Sequence, residues 1–138
     1  MKTYDPKQVV VTVGDKQITG FAEDSMVEVD RLEDAWALTV GVDGEGTRAK
    51  SNNKAGTITL RLAASSNSNA VLGGFAIADE VSNAGLVPVL IKDNSGQDLV
   101  VAAQAYEKKM PTREFARENT TNEWLLETDN LVMSLGGN

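Results

Sequence analysis

The stretch "TITLRL", residues 57–62, decides the fold class because apolar and polar residues alternate strictly along it. In an extended strand, successive side chains point to opposite faces, so its apolar residues share one face and its polar residues share the other. The upstream stretch "AWALTV", residues 35–40, alternates in the same way. We therefore expect these segments to be strands that pair as the arms of one hairpin. Their apolar face, expected to pack on the core, consists of Trp36, Leu38, Ile58 and Leu60.

Strand patterns also occur on both sides of this pair. Segments rich in β-branched or alternating residues predict further strands at 8–13, 16–21, 27–30, 86–93, 98–106, 123–127 and 130–135. Helical spacing occurs over residues 65–85, where Gly85 is a suitable C-terminal stop. Residues 108–118 read as a loop and residues 136–138 as a mobile tail. The sequence thus predicts a mainly β, single-domain β-sandwich or barrel over residues 1–138, with one flanking α-helix.

The composition excludes several classes of function. The 138 residues include no cysteine and no histidine, which removes disulfides, thiolate metal sites, cysteine nucleophiles and histidine acid–base catalysis. A net charge of −7 disfavours nonspecific nucleic-acid binding, which requires clustered cations. No stretch reaches the roughly 18 apolar residues of a membrane span, and the N-terminus lacks the apolar region of a secretory signal. We expect a cytosolic protein that is not an enzyme and has no cofactor, metal or membrane contact.

The glycine-rich segment between the two opening strands, residues 41–56, contains a nucleotide-binding pattern. Residues 44–49 fit G-x-G-x-x-A, which holds a pyrophosphate when a helix begins at the glycines. Here a polar run and then a strand pattern follow the glycines, so the helix that a nucleotide site requires is not predicted. The acidic ligand spacing of a calcium loop is also missing. We therefore interpret the segment as a polar loop, and because loops of this length are uncommon, we expect it to be functional or disordered.

Three other groups of residues have both structural and functional interpretations. Trp36 and Trp124 are expected as core residues, with a ligand-stacking role as the alternative. The acidic segment 23–34 is expected to be a solvated face, with paired catalytic carboxylates as the alternative. A basic cluster is either a solvated loop or a contact with an acidic neighbour, and it comprises Lys108, Lys109, Arg113 and Arg117.

An ordered set of short motifs then points to a family. The motifs are Gly41, Asp43 and Gly44; residues 56–62; Ser66 and Asn69; residues 108–112; and Asn122, Glu123 and Trp124. In this order the chain resembles the tail tube proteins of contractile-tailed bacteriophages, which are related in architecture to the tube protein of type VI secretion. The resemblance implies hexameric rings that stack into a hollow tube, through which DNA passes inside a contractile sheath. It also implies tail sheath, baseplate hub and tail terminator partners, assembly in the host cytoplasm and a place in the virion tail.

The resemblance assigns roles to particular residues. Edge strands would pair with the next subunit and close a ring-wide β-barrel, while the loop 41–54 would reach the adjacent ring. The expected ring-stacking residues are Asp43, Gly44, Arg48, Lys50, Asn52 and Lys54. The expected lumen-facing residues are Ala37, Thr39, Thr57, Thr59 and Arg61, the last neutralised by a neighbouring carboxylate. The basic cluster would contact another subunit.

Two alternatives to a tube subunit stay open at this point. A tail terminator or head–tail connector would share the architecture but stop at a single ring. A soluble ligand-binding β-domain would place Trp36 or Trp124 at a pocket. An enzyme is the least favoured reading of this composition.

Overall fold

A computed structural model of the chain describes residue 1, residues 3–22 and residues 26–136. Within these residues the chain is mainly β with one α-helix, as the alternation predicted. A short 3₁₀ turn, Pro6–Gln8, precedes the first strand. The elements are β1 Val9–Val13, β2 Lys16–Ile18, β3 Val27–Arg31, β4 Trp36–Val40, β5 Gly46–Lys50, β6 Gly56–Ala63, α1 Ser68–Ser82, β7 Val87–Asp93, β8 Leu99–Glu107, β9 Thr121–Thr128 and β10 Leu131–Ser134.

Eight strands form one antiparallel sheet in the order β2-β1-β7-β8-β9-β6-β3, with β10 paired to the first half of β8. The chain just after β2 curls back to the other end of the sheet, where Phe21 forms a bridge with Leu62. The end strands β2 and β3 share no ladder in the described residues. The sheet therefore curls like a barrel that stays open along one seam.

The strands β4 and β5 form a separate two-stranded sheet. The expected hairpin between residues 35–40 and 57–62 is therefore wrong, because β6 pairs with β3 and β9 instead. A tight turn causes the difference. Gly41 donates its N–H to the Glu45 carbonyl at 2.8 Å, and Gly44 has a φ of 84°, which glycine adopts without strain. This turn folds residues 46–50 back onto β4, so the segment read as a loop contains a strand.

The core lies between the curled sheet and α1. Ile58, Leu60 and Leu62 of β6 are fully buried, as the alternation predicted. Trp124 is 4% exposed, so its prediction as a core residue is confirmed. Trp36 is 47% exposed, so the same prediction is wrong for it. Trp36 lies on a hairpin that does not join the main sheet, so the Trp36 side chain does not reach the core.

The helix α1 packs Leu72 and Ala76 into this core. Its N-cap, Asn67, makes no side-chain capping bond, and its C-cap is Asn83, with a left-handed φ of 56°, rather than Gly85. Asn tolerates this conformation better than most residues because its short polar side chain bonds locally. Two expectations fall partly outside the described residues: the acidic segment from residue 23, at residues 23–25, and the tail, at residues 137–138.

Candidate assembly surfaces

The β4–β5 hairpin is the most exposed part of the described chain. Every residue of both strands is exposed to solvent. One face presents Trp36, Leu38 and Val40, with the cross-strand partners of the first two being Lys50 and Arg48. The Arg48 guanidinium lies 4.1 Å from the centre of the Trp36 ring, a cation–π contact. This face is therefore an apolar stripe with two cations along its edge.

The opposite face of the hairpin is built from small side chains. Ala37 pairs with Ala49, and Thr39 pairs with Thr47. Side chains of this size let another backbone or a polymer approach closely. The hairpin thus has two chemically different faces, one apolar and cationic and one small and mostly neutral.

The expected ring-stacking residues are distributed along this hairpin rather than in a loop. Asp43 and Gly44 lie in its turn, where the Asp43 carboxylate accepts the Glu45 N–H at 3.1 Å. Arg48 and Lys50 lie in β5. The remaining two, Asn52 and Lys54, lie in the segment that returns to β6, and Lys54 forms a bridge with Asn130.

The expected lumen-facing residues do not share one hairpin. Thr57, Thr59 and Arg61 project from the same face of β6, since Ile58 and Leu60 between them are buried. Thr59 is only 9% exposed, so the other two present more of this surface. Ala37 and Thr39 lie instead on the small face of the β4–β5 hairpin, because β4 does not pair with β6. The prediction of one continuous polar face is therefore wrong.

Arg61 has the carboxylate partners that were expected. Its guanidinium contacts Glu28 of β3 at 3.0 Å and Glu123 of β9 at 3.4 Å. The hydrogen bond that Arg61 donates to Glu28 is the main reason why the pKa of Arg61 rises above its ordinary value. Two carboxylates therefore surround one cation, and this triad carries a net charge of −1.

The four cations predicted as a basic cluster lie along an irregular stretch between β8 and β9. Lys108 is paired with Glu127 of β9 at 3.4 Å. Arg113 donates to the Thr120 hydroxyl at 3.2 Å and stacks 4.6 Å from the ring centre of Phe115, while Lys109 and Arg117 are exposed. The Phe115 side chain is 87% exposed. Phe115 was not predicted as a surface residue of interest, because this segment was interpreted from its basic residues alone.

Glu107, at the end of β8, is a half-buried residue whose two carboxylate oxygens are buried, and nothing in the sequence indicated this. Neither of its carboxylate oxygens has a hydrogen-bond partner among the described residues. It lines a cavity of about 210 Å³ at the C-terminal end of α1, together with Asp79 and Glu80. Burial, and then the negative charge of Asp79, raises the pKa of Glu107 to about 8. Glu107 is therefore protonated at neutral pH in the folded chain.

The raised pKa of Glu107 predicts a pH dependence of stability. An unfolded glutamate loses its proton near pH 4.5, while the folded one keeps it up to about pH 8. The free energy of unfolding should therefore fall as pH rises through this window and level off above it. We expect Glu107→Gln to raise Tm by several degrees at pH 9 and to leave it nearly unchanged at pH 4.5. Thermal denaturation across pH measures this, with Glu118→Gln as an exposed control; an equal Tm change at both pH values would contradict it.

Two further observations concern sites outside these surfaces. The one α-helix in the described residues is too short and too polar to cross a membrane. Within the same residues, no three acidic side chains come together as a metal-binding group.

Comparisons with known proteins place the chain in a family. The family model described as bacteriophage PhiTE tail tube protein matches residues 8–136. A curated relative, structural protein ORF10 of Pseudomonas phage KPP10, is 35% identical over 144 residues, which cover 99% of this chain and 83% of the relative.

Solved structures share the fold at low sequence identity. The tube terminating cap of the anti-feeding prophage superposes with a TM-score of 0.64 at 14% identity, covering 97% of this chain and 92% of that one. The sheath–tube complex of the extracellular contractile injection system PVC gives 0.62 at 16% identity, with coverages of 96% and 91%. The sheath/tube terminator of the same system gives 0.61 at 14% identity, with coverages of 98% and 99%. The family match extends over nearly all of the sequence and includes every surface described above, so the chain belongs to the bacteriophage PhiTE tail tube protein family and is a structural component of a phage tail.

Proposed function

We propose that this chain is the tube subunit of a contractile phage tail, and that its copies form hexameric rings that stack into a hollow conduit for DNA. The observation that carries the proposal is the β4–β5 hairpin, whose ten strand residues are all exposed. An isolated two-stranded hairpin is marginally stable in water. Burial of the exposed apolar stripe against another copy of the chain would stabilise this hairpin, so the hairpin favours self-association.

The open seam of the main sheet supports closure between neighbours within a ring. The strands β2 and β3 each pair on one side only in the described residues. Unpaired strand edges promote association unless they are covered. Pairing of these edges between neighbours would join the subunit sheets into a ring-wide β-barrel, and repetition of the same contact around a closed ring leaves neither of these two edges exposed.

The polar face of β6 is the proposed wall of the conduit. Thr57 and Thr59 offer short side chains, and Arg61 is held between Glu28 and Glu123 rather than presented to the bore. DNA is drawn to unpaired cations and is repelled by excess carboxylate, so this wall would let it pass without binding. The small face of the hairpin, with Ala37 and Thr39, would continue the wall toward the next ring.

The proposed partners follow from the same architecture. The two PVC structures with this fold were solved as a sheath–tube complex and a sheath/tube terminator. We accordingly propose a tail sheath protein around the tube, a baseplate hub at one end and a terminator at the other. The loop 108–120, with its exposed cations and Phe115, is proposed as a further subunit contact. Assembly would take place in the host cytoplasm and requires no cofactor.

A tail terminator is the second candidate function, because two of the three similar structures named above are a tube cap and a tube terminator. A ligand-binding domain is less favoured, since Trp124 is buried and its indole N–H donates to Asn69 at 2.9 Å. Light scattering at rising protein concentration distinguishes the three functions. A tube subunit should grow from rings to long polymers, a terminator should stop at one ring, and a binding domain should stay monomeric.

A further inference from the structure

The outward face of α1 is an apolar strip without a partner in the described chain. Ile77 is 53% exposed and Val81, one turn later, is 80% exposed. Gly74, one turn earlier on the same face, has open space around its Cα position. Leu86, just beyond the helix, is 56% exposed. The strip is therefore flat at one end and carries large apolar side chains at the other.

The same end of α1 is strongly acidic. The helix contains Asp79 and Glu80 and has no lysine or arginine in its sequence. These carboxylates lie near the C-terminus, where the helix dipole already places partial negative charge. Two lysines line the cavity beside Asp79 and Glu80: Lys108 is paired with Glu127, and Lys109 is exposed. Asp79 is half-buried and accepts the Gly85 N–H at 3.4 Å, so the exposed Glu80 is the carboxylate suited to receive a cation from outside the subunit.

The apolar face of the β4–β5 hairpin has the complementary properties. It presents Trp36, Leu38 and Val40, all large and exposed. The cations Arg48 and Lys50 border this stripe on the neighbouring strand. The hairpin therefore offers an apolar centre with a positive edge, and α1 offers an apolar strip with a negative edge.

We propose that the apolar face of the β4–β5 hairpin of one copy docks on the outward face of α1 in a second copy, with Lys50 and Arg48 facing Glu80. This inference rests on the proposed self-assembly and names the surface that receives the hairpin. The contact joins two different patches of the same chain, so it is head-to-tail and can propagate from ring to ring. Charge complementarity also fixes the orientation of the hairpin, because the reversed placement would separate Lys50 and Arg48 from Glu80.

A charge exchange tests the docking surface. Glu80→Lys should leave the subunit as stable as the natural chain or slightly more so, because a cation near a helix C-terminus is favourable. It should nevertheless raise the protein concentration required for polymerisation about tenfold, and Lys50→Glu should do the same. The double variant, Lys50→Glu with Glu80→Lys, should bring that concentration back to within about threefold of the natural value because the attraction is restored with its sign reversed. Asp15→Lys, an equal change of charge at the exposed β1–β2 turn, is the matched control and should polymerise normally.

The outcomes separate this inference from the proposed function. If the natural chain never polymerises, the proposed function fails, and the inference fails with it. If the natural chain polymerises and Glu80→Lys does so equally well, the proposed tube function is supported, but α1 is not the surface on which the hairpin docks. Impairment of both single variants without recovery in the double variant would also overturn the pairing, because the two residues would then act at separate contacts. Thermal denaturation of each variant confirms that the subunits remain folded.

Discussion

Replacement of residues 36–50 by an Asn-Gly turn should abolish polymerisation and leave a folded monomer. Ser51 donates its N–H to the Ala35 carbonyl at 2.8 Å, so the ends of the excised hairpin are already close enough for a two-residue turn. The strands removed contribute no buried residue to the core. The Tm of the monomer should therefore stay within about 4 °C of the natural value, the shift that about 1 kcal/mol causes in a chain of this size.

Electron microscopy shows whether the shortened chain polymerises, and thermal denaturation measures its Tm. A milder variant, Trp36→Ser with Leu38→Ser, keeps the hairpin but removes much of its apolar stripe, and it should also fail to polymerise. Leu135→Ser, which changes an apolar residue that is 71% exposed outside the hairpin, is the control and should form normal tubes. Tubes from the shortened chain would contradict the role of the hairpin. Unfolding of the shortened chain would contradict the claim that the core folds without the hairpin.

Asn69→Ala should destabilise the folded chain by about 4 kcal/mol, because the Asn69 side chain connects α1 to β9 and to the preceding segment. Its carbonyl oxygen accepts the indole N–H of Trp124 at 2.9 Å and the side-chain N–H of Asn122 at 3.2 Å. Its own amide donates to the carbonyls of Ala63 and Ser66, each at 3.0 Å. Alanine would leave the buried Trp124 and Asn122 donors without this acceptor.

Urea denaturation measures the loss, and Tm should fall by about 16 °C in a chain of this size. Asn67→Ala is the matched control. It removes the same side chain two residues earlier, where that side chain makes no capping bond, and it should cost less than about 0.5 kcal/mol. Equal losses from the two variants would show that the bonds of Asn69 contribute nothing specific.

Local alternation predicted the strands well because burial of one face imposes a two-residue period. β6 and its buried Ile58, Leu60 and Leu62 follow directly from that period. The pairing of β6 with β3 and β9 could not be deduced in the same way, since it joins segments far apart in the chain. β5 was missed because "GTRAK" contains no large apolar residue and so carries no hydrophobic period. The hairpin between β7 and β8 was predicted correctly, since a short polar turn connects two long apolar runs.

The sequence identified the residues of the candidate surfaces better than their arrangement. An alternating apolar stripe looks the same whether it faces a core or another subunit, so Trp36 was assigned to the core although it lies on an exposed hairpin. Arg61 was expected to have a carboxylate neighbour, because it is the one cation on a face expected to pass DNA without binding it, and Glu28 and Glu123 are those neighbours. Glu107 gave no signal, since its burial arises only where α1 packs near the end of β8.

Electron microscopy of the concentrated natural chain tests the central claim most directly. Images should show hollow tubes whose cross-section has six-fold symmetry, with the β4–β5 hairpin bridging successive rings. Monomers at every concentration, with the hairpin and both sheet edges still in solvent, would contradict the account. Rings that never stack would contradict it as well and would favour a terminator.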